Sequence, residues 1–117
     1  MVSTFEFADH VVGIIINSDV DNALVDEVHE VILERLQEHD KISLIVEIKK
    51  ESRIHLSAMV KDLIFKFDHA GQFYKIAVVS DHLIMRNAMI IKDLFMKADV
   101  KPFSSDKRLD AMNWIIQ

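Results

Sequence analysis

Six histidines, nineteen carboxylates and one Ser-Asp-His run are the residues of this chain that could do chemistry. His10, His39, His69 and His82 each adjoin an acid: Asp9, Glu38, Asp68 and Asp81. A histidine held by a carboxylate is the usual core of general acid–base catalysis. Sequence neighbours, however, point to opposite faces of a strand and diverge by about 100° on a helix, so adjacency alone builds no such pair. Asp26 and His29 stand three residues apart, with Glu30 beside them, and could share a metal on one helix face. Catalytic metal sites need at least three converging ligands, and no second cluster of this kind occurs in the chain. No metal and no cofactor are expected.

Ser80-Asp81-His82 is the suggestive triplet. It closes an apolar run and precedes a helical pattern, which is where open α/β sheets bind ligands. Backbone N–H groups there could hold an anion or a carboxylate. The competing reading is a Ser80 or Asp81 helix cap with His82 exposed. Nucleophilic catalysis lacks its other signatures. There is no cysteine, no Gly-x-Ser-x-Gly elbow, no Gly-x-Gly-x-x-Gly loop and no Walker loop. No catalytic residue is assigned, and the chain reads as a non-enzyme.

The elements that must position these residues follow from periodicity. At 117 residues, half of them hydrophobic, the chain fits one domain over 1–117 with a sizeable core. Thr4 to Phe7 alternates as an edge strand, and Asp9-His10 reads as a tight turn. Val11–Ile16 is a continuous β-branched run, expected for a strand covered on both faces. A helix follows from Asn22 to Glu38, capped by Asp19 or Asp21. Ser43 to Ile48 is the next strand, and Lys49 to Arg53 a polar loop. The second helix runs from Ser57 to His69. Leu56, Met59, Val60, Leu63, Ile64 and Phe67 give it the cleanest amphipathic series in the chain. Ser57 is expected to cap it, and Gly71 to take the left-handed position after it. Phe73–Val79 is a buried strand, His82 to Lys97 a third helix, and Val100 to Phe103 an edge strand marked by Pro102. Ser104-Ser105-Asp106 caps a last helix through Trp114. The order β-β-α-β-α-β-α-β-α predicts a mostly parallel five-stranded sheet with an antiparallel N-terminal edge and four helices on both faces.

The third helix carries more apolar surface than a core face requires. Ile84, Ala88, Ile91 and Phe95 form one stripe; Leu83, Ile90 and Leu94 form another. Met85, Met89 and Met96 fall within about 40° of arc at 100° per residue. The excess must meet a neighbouring helix, a second subunit, an apolar ligand or a lipid surface, and methionines suit adaptable contacts. Lys61, Lys66, Arg86, Lys92 and Lys97 could flank an anionic surface. The formal net charge of -5 argues against nucleic acid as a partner. No run is long enough to span a bilayer, and Met1 to Phe7 lacks the basic-then-apolar pattern of a signal peptide. With no cysteine, a reducing cytoplasm is the expected location.

The element order and two segments resemble the SpoIIAA-like family, related to STAS domains and similar in sheet topology to CRAL-TRIO lipid-binding domains. Phe73-Tyr74-Lys75-Ile76-Ala77-Val78-Val79-Ser80-Asp81 looks like the family's "f-x-k-i-A-v-v-g-d" strand. Val100-Lys101-Pro102-Phe103 with Leu109-Asp110-Ala111-Met112-Asn113-Trp114-Ile115 looks like its close. These are packing motifs, informative on fold and nearly silent on function. STAS-type sigma-factor antagonists carry a phosphorylatable serine in an Asp-Ser-[Ser/Thr]-Gly turn. Here the region reads Ile54-His55-Leu56-Ser57-Ala58-Met59, without the Asp and the Gly, so the phosphoswitch is not carried over. The resemblance and the apolar surplus imply a binding domain for a small apolar or amphipathic ligand, peripheral to the inner face of the membrane through its second and third helices. Met59, Leu63, Phe67, Ser80, Asp81, His82, Met85, Met89 and Met96 are the expected ligand-binding residues. The alternative is a STAS-like interaction module acting as a homodimer.

Overall fold

The computed structural model describes residues 2–82 and 98–117. Five strands form one sheet in the order β1-β2-β3-β4-β5: β1 Val2–Ala8, β2 Val11–Ile16, β3 Ile42–Ile48, β4 Phe73–Val79 and β5 Asp99–Phe103. β1 runs antiparallel to β2 across the Asp9-His10 turn, and the other pairs are parallel. This is the expected mixed sheet. β3 is buried at all seven positions, as its run of Ile, Leu and Val requires for a central strand covered on both faces.

Among the described residues there are three α-helices: α1 Asn22–Leu36, α2 Leu56–Asp68 and α3 Arg108–Ile116. The expected helix from His82 to Lys97 falls on residues 83–97, outside the described residues. Leu24, Val25, Val28 and Ile32 of α1 pack on Val12, Ile14, Leu44, Val46 and Ile76, one face of the sheet. Ala111 and Ile115 of α3 pack on Val11, Ile45, Ala77 and Val79, the other face. Helices therefore cover both faces, as the alternation of strand and helix predicts.

The capping expectations divide. Asp21 caps α1, its Oδ1 accepting from Leu24 N–H at 2.9 Å, while Asp19 Oδ1 accepts from Arg53 N–H at 3.0 Å and ties the two crossover loops together. Ser57 is not a cap. α2 begins one residue earlier, its N-cap is His55 without a side-chain bond, and Ser57 lies exposed within the first turn. Gly71 does not take the left-handed conformation either. The chain passes from α2 into a 3-10 turn, Ala70–Gln72, and the His69 ring nitrogen donates to the Phe65 carbonyl at 2.8 Å, which serves the helix end. Ser104 precedes a 3-10 turn at 105–107 and bonds Asp106 rather than a backbone N–H.

Candidate functional site

Two places gather functional side chains. The first lies at the carboxyl ends of β3 and β4. Ser80, just after β4, is almost fully buried, and its hydroxyl accepts the His82 backbone N–H at 3.1 Å. The same hydroxyl meets His82 Nδ1 at 2.8 Å, and His82 Nε2 meets the Ser52 carbonyl at 2.7 Å. A carbonyl only accepts, so Nε2 carries the hydrogen, and in the neutral ring Ser80 donates to Nδ1. Serine, histidine and an orienting acceptor are the parts of an activated nucleophile. Here, however, the acceptor is a main-chain carbonyl. Ser80 is only 6% exposed, and its oxygen is already engaged by a backbone N–H.

Asp81 turns away to Ser105, accepting its N–H at 2.9 Å and its hydroxyl at 2.5 Å. The triplet thus does not converge on one atom. Ser80 and His82 staple the β3–α2 loop to the end of β4, and Asp81 ties that same end to the start of the last helical segment. Strand order also matters. Ligand crevices in open sheets open where the order reverses, and this sheet runs from β1 to β5 without reversal. Replacing His82 with Ala is expected to lower stability by about 1–3 kcal/mol in urea unfolding, since both partners of the ring lose their bonds together. Ser80→Ala should cost a similar amount, and the double variant little more, because the two side chains act as one staple.

Beside this staple lies a charged cluster that the sequence patterns did not single out. Glu47, buried near the end of β3, faces α3 rather than solvent. Arg108 grips it with two bonds, Nε to Oε1 at 2.9 Å and Nη2 to Oε2, and Lys49 Nζ stands 3.4 Å from Oε2. Burial pushes the Glu47 carboxyl up, but Arg108 and Lys49 outweigh it and hold it below the usual value. A carboxyl with a lowered pKa in the folded state adds stability above its ordinary value near 4.5, and this is lost as pH falls through the folded value. Urea midpoints should therefore fall as pH drops below about 4.5, and Arg108→Met should flatten that fall.

The second place is α2. Its inward side carries Ala58, fully buried, with Asp62 and Phe65 on either side. Asp62 Oδ1 meets His29 Nε2 of α1 at 2.9 Å, and its Oδ2 meets Lys66 Nζ at 2.7 Å. The Phe65 ring is sandwiched between two imidazoles, His29 at 3.8 Å and nearly parallel, His69 at 4.3 Å. Burial pushes Asp62 up, but Lys66 and His29 prevail and hold it below the usual carboxylate value. The Asp26-His29-Glu30 group thus does not converge on one point. Asp26 pairs with Lys61 at 2.5 Å, His29 pairs with Asp62, and among the described residues no three potential ligands converge.

This polar seat fixes how α2 is turned. At about 100° per residue, placing Asp62 against α1 sends Leu56, Val60, Ile64 and Phe67 outward. They are 73%, 48%, 58% and 61% exposed, an unbroken stripe along three turns. Of the expected ligand residues, Phe67 lies on this stripe. Met59 is partly buried and Leu63 packs against the core, on the inward flank of the helix. Ser80 and His82 lie in the staple. The structure therefore does not bring Phe67 and the triplet together as one site. Met85, Met89 and Met96 lie outside the described residues. The periodicity of α2 made the stripe visible, but nothing in it said that Leu56, Val60 and Ile64 would face out. No helix among the described residues is long and apolar enough to cross a membrane.

The SpoIIAA-like family profile matches residues 11–116 of this chain. A solved structure with a similar fold is that of an uncharacterised protein of the DUF3478 family from Shewanella loihica PV-4, described as having a SpoIIAA-like fold. It is 14% identical, with a TM-score of 0.70 over 98% of this chain and 92% of that one. At that identity the likeness concerns the fold alone. No curated protein matches the chain in sequence. Neither match bears on the expected likeness to CRAL-TRIO domains.

Proposed function

Since this chain belongs to the SpoIIAA-like family, we propose that it is a non-catalytic binding module that takes an amphipathic, lipid-like ligand through the outward face of α2, peripheral to a bilayer. The observation that carries this reading is the Leu56/Val60/Ile64/Phe67 stripe. Scattered exposed apolar residues are ordinary, but a contiguous apolar row on one helix marks a surface that meets something. Covering one such side chain fully is worth about 1.5–3 kcal/mol, so four of them supply a useful affinity.

The charge around the stripe refines the partner. Lys61 and Lys66 are each paired with a carboxylate of the same molecule, Asp26 and Asp62. Lys66 is well covered, with its side chain 13% exposed. The chain also carries a net charge of -5. An anionic headgroup therefore adds little, and apolar burial drives the association.

Two experiments test the reading. Native mass spectrometry of protein purified from cells should show an additional lipid-sized mass. Flotation with zwitterionic vesicles should carry the protein upward, with no large gain from anionic lipid. Protein that emerges bare and stays at the bottom of the gradient with both vesicle types overturns the proposal.

A further inference from the structure

The two edges of the sheet are not alike. β5 is five residues long, carries Asp99 and Lys101, and contains Pro102, which has no N–H to offer. Short length, charge and proline are the usual devices that stop an edge strand from pairing with another chain. β1 is less guarded. It is seven residues, Val2–Ala8, with no proline and no lysine, and Glu6 is its sole charge. Ser3 and Thr4 are exposed. An open groove of about 680 Å³ runs between this strand and α1, lined by Thr4, Val31, Glu34, Arg35 and Glu38 among others.

We propose that two copies of the chain pair β1 to β1, antiparallel, and join their sheets into one of ten strands. The sequence of β1 is self-complementary for this. Its register with β2 is unbroken from Val2 to Glu6, and the irregularity comes only after Glu6. A two-fold axis at the centre of that regular run passes Thr4. It sets Thr4 opposite the partner's Thr4, Ser3 opposite the partner's Phe5, and Val2 opposite the partner's Glu6. No two charges meet, and Thr–Thr is a favourable cross-strand pair. An interface of this kind is isologous and closes on itself at two copies. The edge is short and each copy carries a net charge of -5. The dimer is accordingly weak, forming in the micromolar range, and is strengthened by salt.

The test uses the full chain in sedimentation equilibrium up to about 100 µM, with Thr4→Lys and Thr4→Glu. Thr4 is exposed, so neither change disturbs the core. Each variant alone places like charges opposite each other at the axis and should weaken dimerisation about fivefold to tenfold. An equimolar mixture of the two should restore it, as lysine then faces glutamate. A wild-type monomer at the highest concentration overturns the proposal, and leaves the α2 reading untouched. So does a dimer that ignores both Thr4 variants but dissociates on Ile64→Glu, which would place the contact on α2.

Discussion

Ile64→Glu is expected to abolish flotation with zwitterionic vesicles while leaving the urea midpoint nearly unchanged. Ile64 is 58% exposed and lies mid-stripe between Val60 and Phe67. A carboxylate there costs the folded protein little, because most of the side chain faces water. Pressed against acyl chains, the same carboxylate must be desolvated or protonated, a penalty of several kcal/mol. It also forfeits about 1.5–3 kcal/mol of apolar burial. Together these predict a loss of binding of at least about a hundredfold. The control is Leu63→Ala, on the inward flank, where Leu63 packs against the core. That change should lower stability by about 2 kcal/mol and affect binding less. Binding that survives Ile64→Glu, or a fall in stability equal to that of Leu63→Ala, would show that the stripe is not the docking face.

The second large effect is expected at Asp62. Replacing it with Ala leaves His29 and Lys66 facing each other without the carboxylate that joins them. Both are well covered, with side chains 10% and 13% exposed. Removing one partner of a buried pair typically costs about 3–5 kcal/mol, reduced here to roughly 2–3 because Asp62 is itself a quarter exposed. The damage should be local. Ala58 is the one fully buried residue of α2, so the helix is held by this seat together with Phe65 and Leu63. Hydrogen exchange should quicken across α2 while β3 and β4 keep their protection. Asp26→Ala, which breaks the exposed pair with Lys61, should cost under about 0.5 kcal/mol. Acid acts in the same direction as Asp62→Ala. Asp62 titrates below its usual value of 3.8 when folded. Its contribution is therefore complete above that value and fades as pH drops beneath it. Exchange in α2 that is no faster in Asp62→Ala than in the wild type would remove the polar seat as its anchor.

Much of the fold was legible because strands and helices differ in period. Val11–Ile16 and Phe73–Val79 are short β-branched and apolar runs, and each became a strand with the expected bounds. Pro102 correctly marked an edge. Ends and caps were less legible. The choice between Asp19 and Asp21 as cap, or between Ser57 and His55, depends on where the chain enters the helix, and that is decided by contacts with other loops.

By itself the sequence determined the α/β class, the antiparallel first strand and the parallel remainder, the absence of thiol and glycine-loop chemistry, and the amphipathic character of α2. Only the tertiary structure decided what those elements present. His29 and Asp62 are 33 residues apart, Glu47 and Arg108 are 61 apart, and no spacing rule pairs them. Burial makes such pairs obligatory once the chain closes, because a covered charge without a partner is far costlier than an apolar side chain left in water. Periodicity measures how apolar residues cluster around an axis, and it is blind to which way that axis is rotated. On α2 the polar pair took the inside, and the Leu56/Val60/Ile64/Phe67 stripe was left facing out.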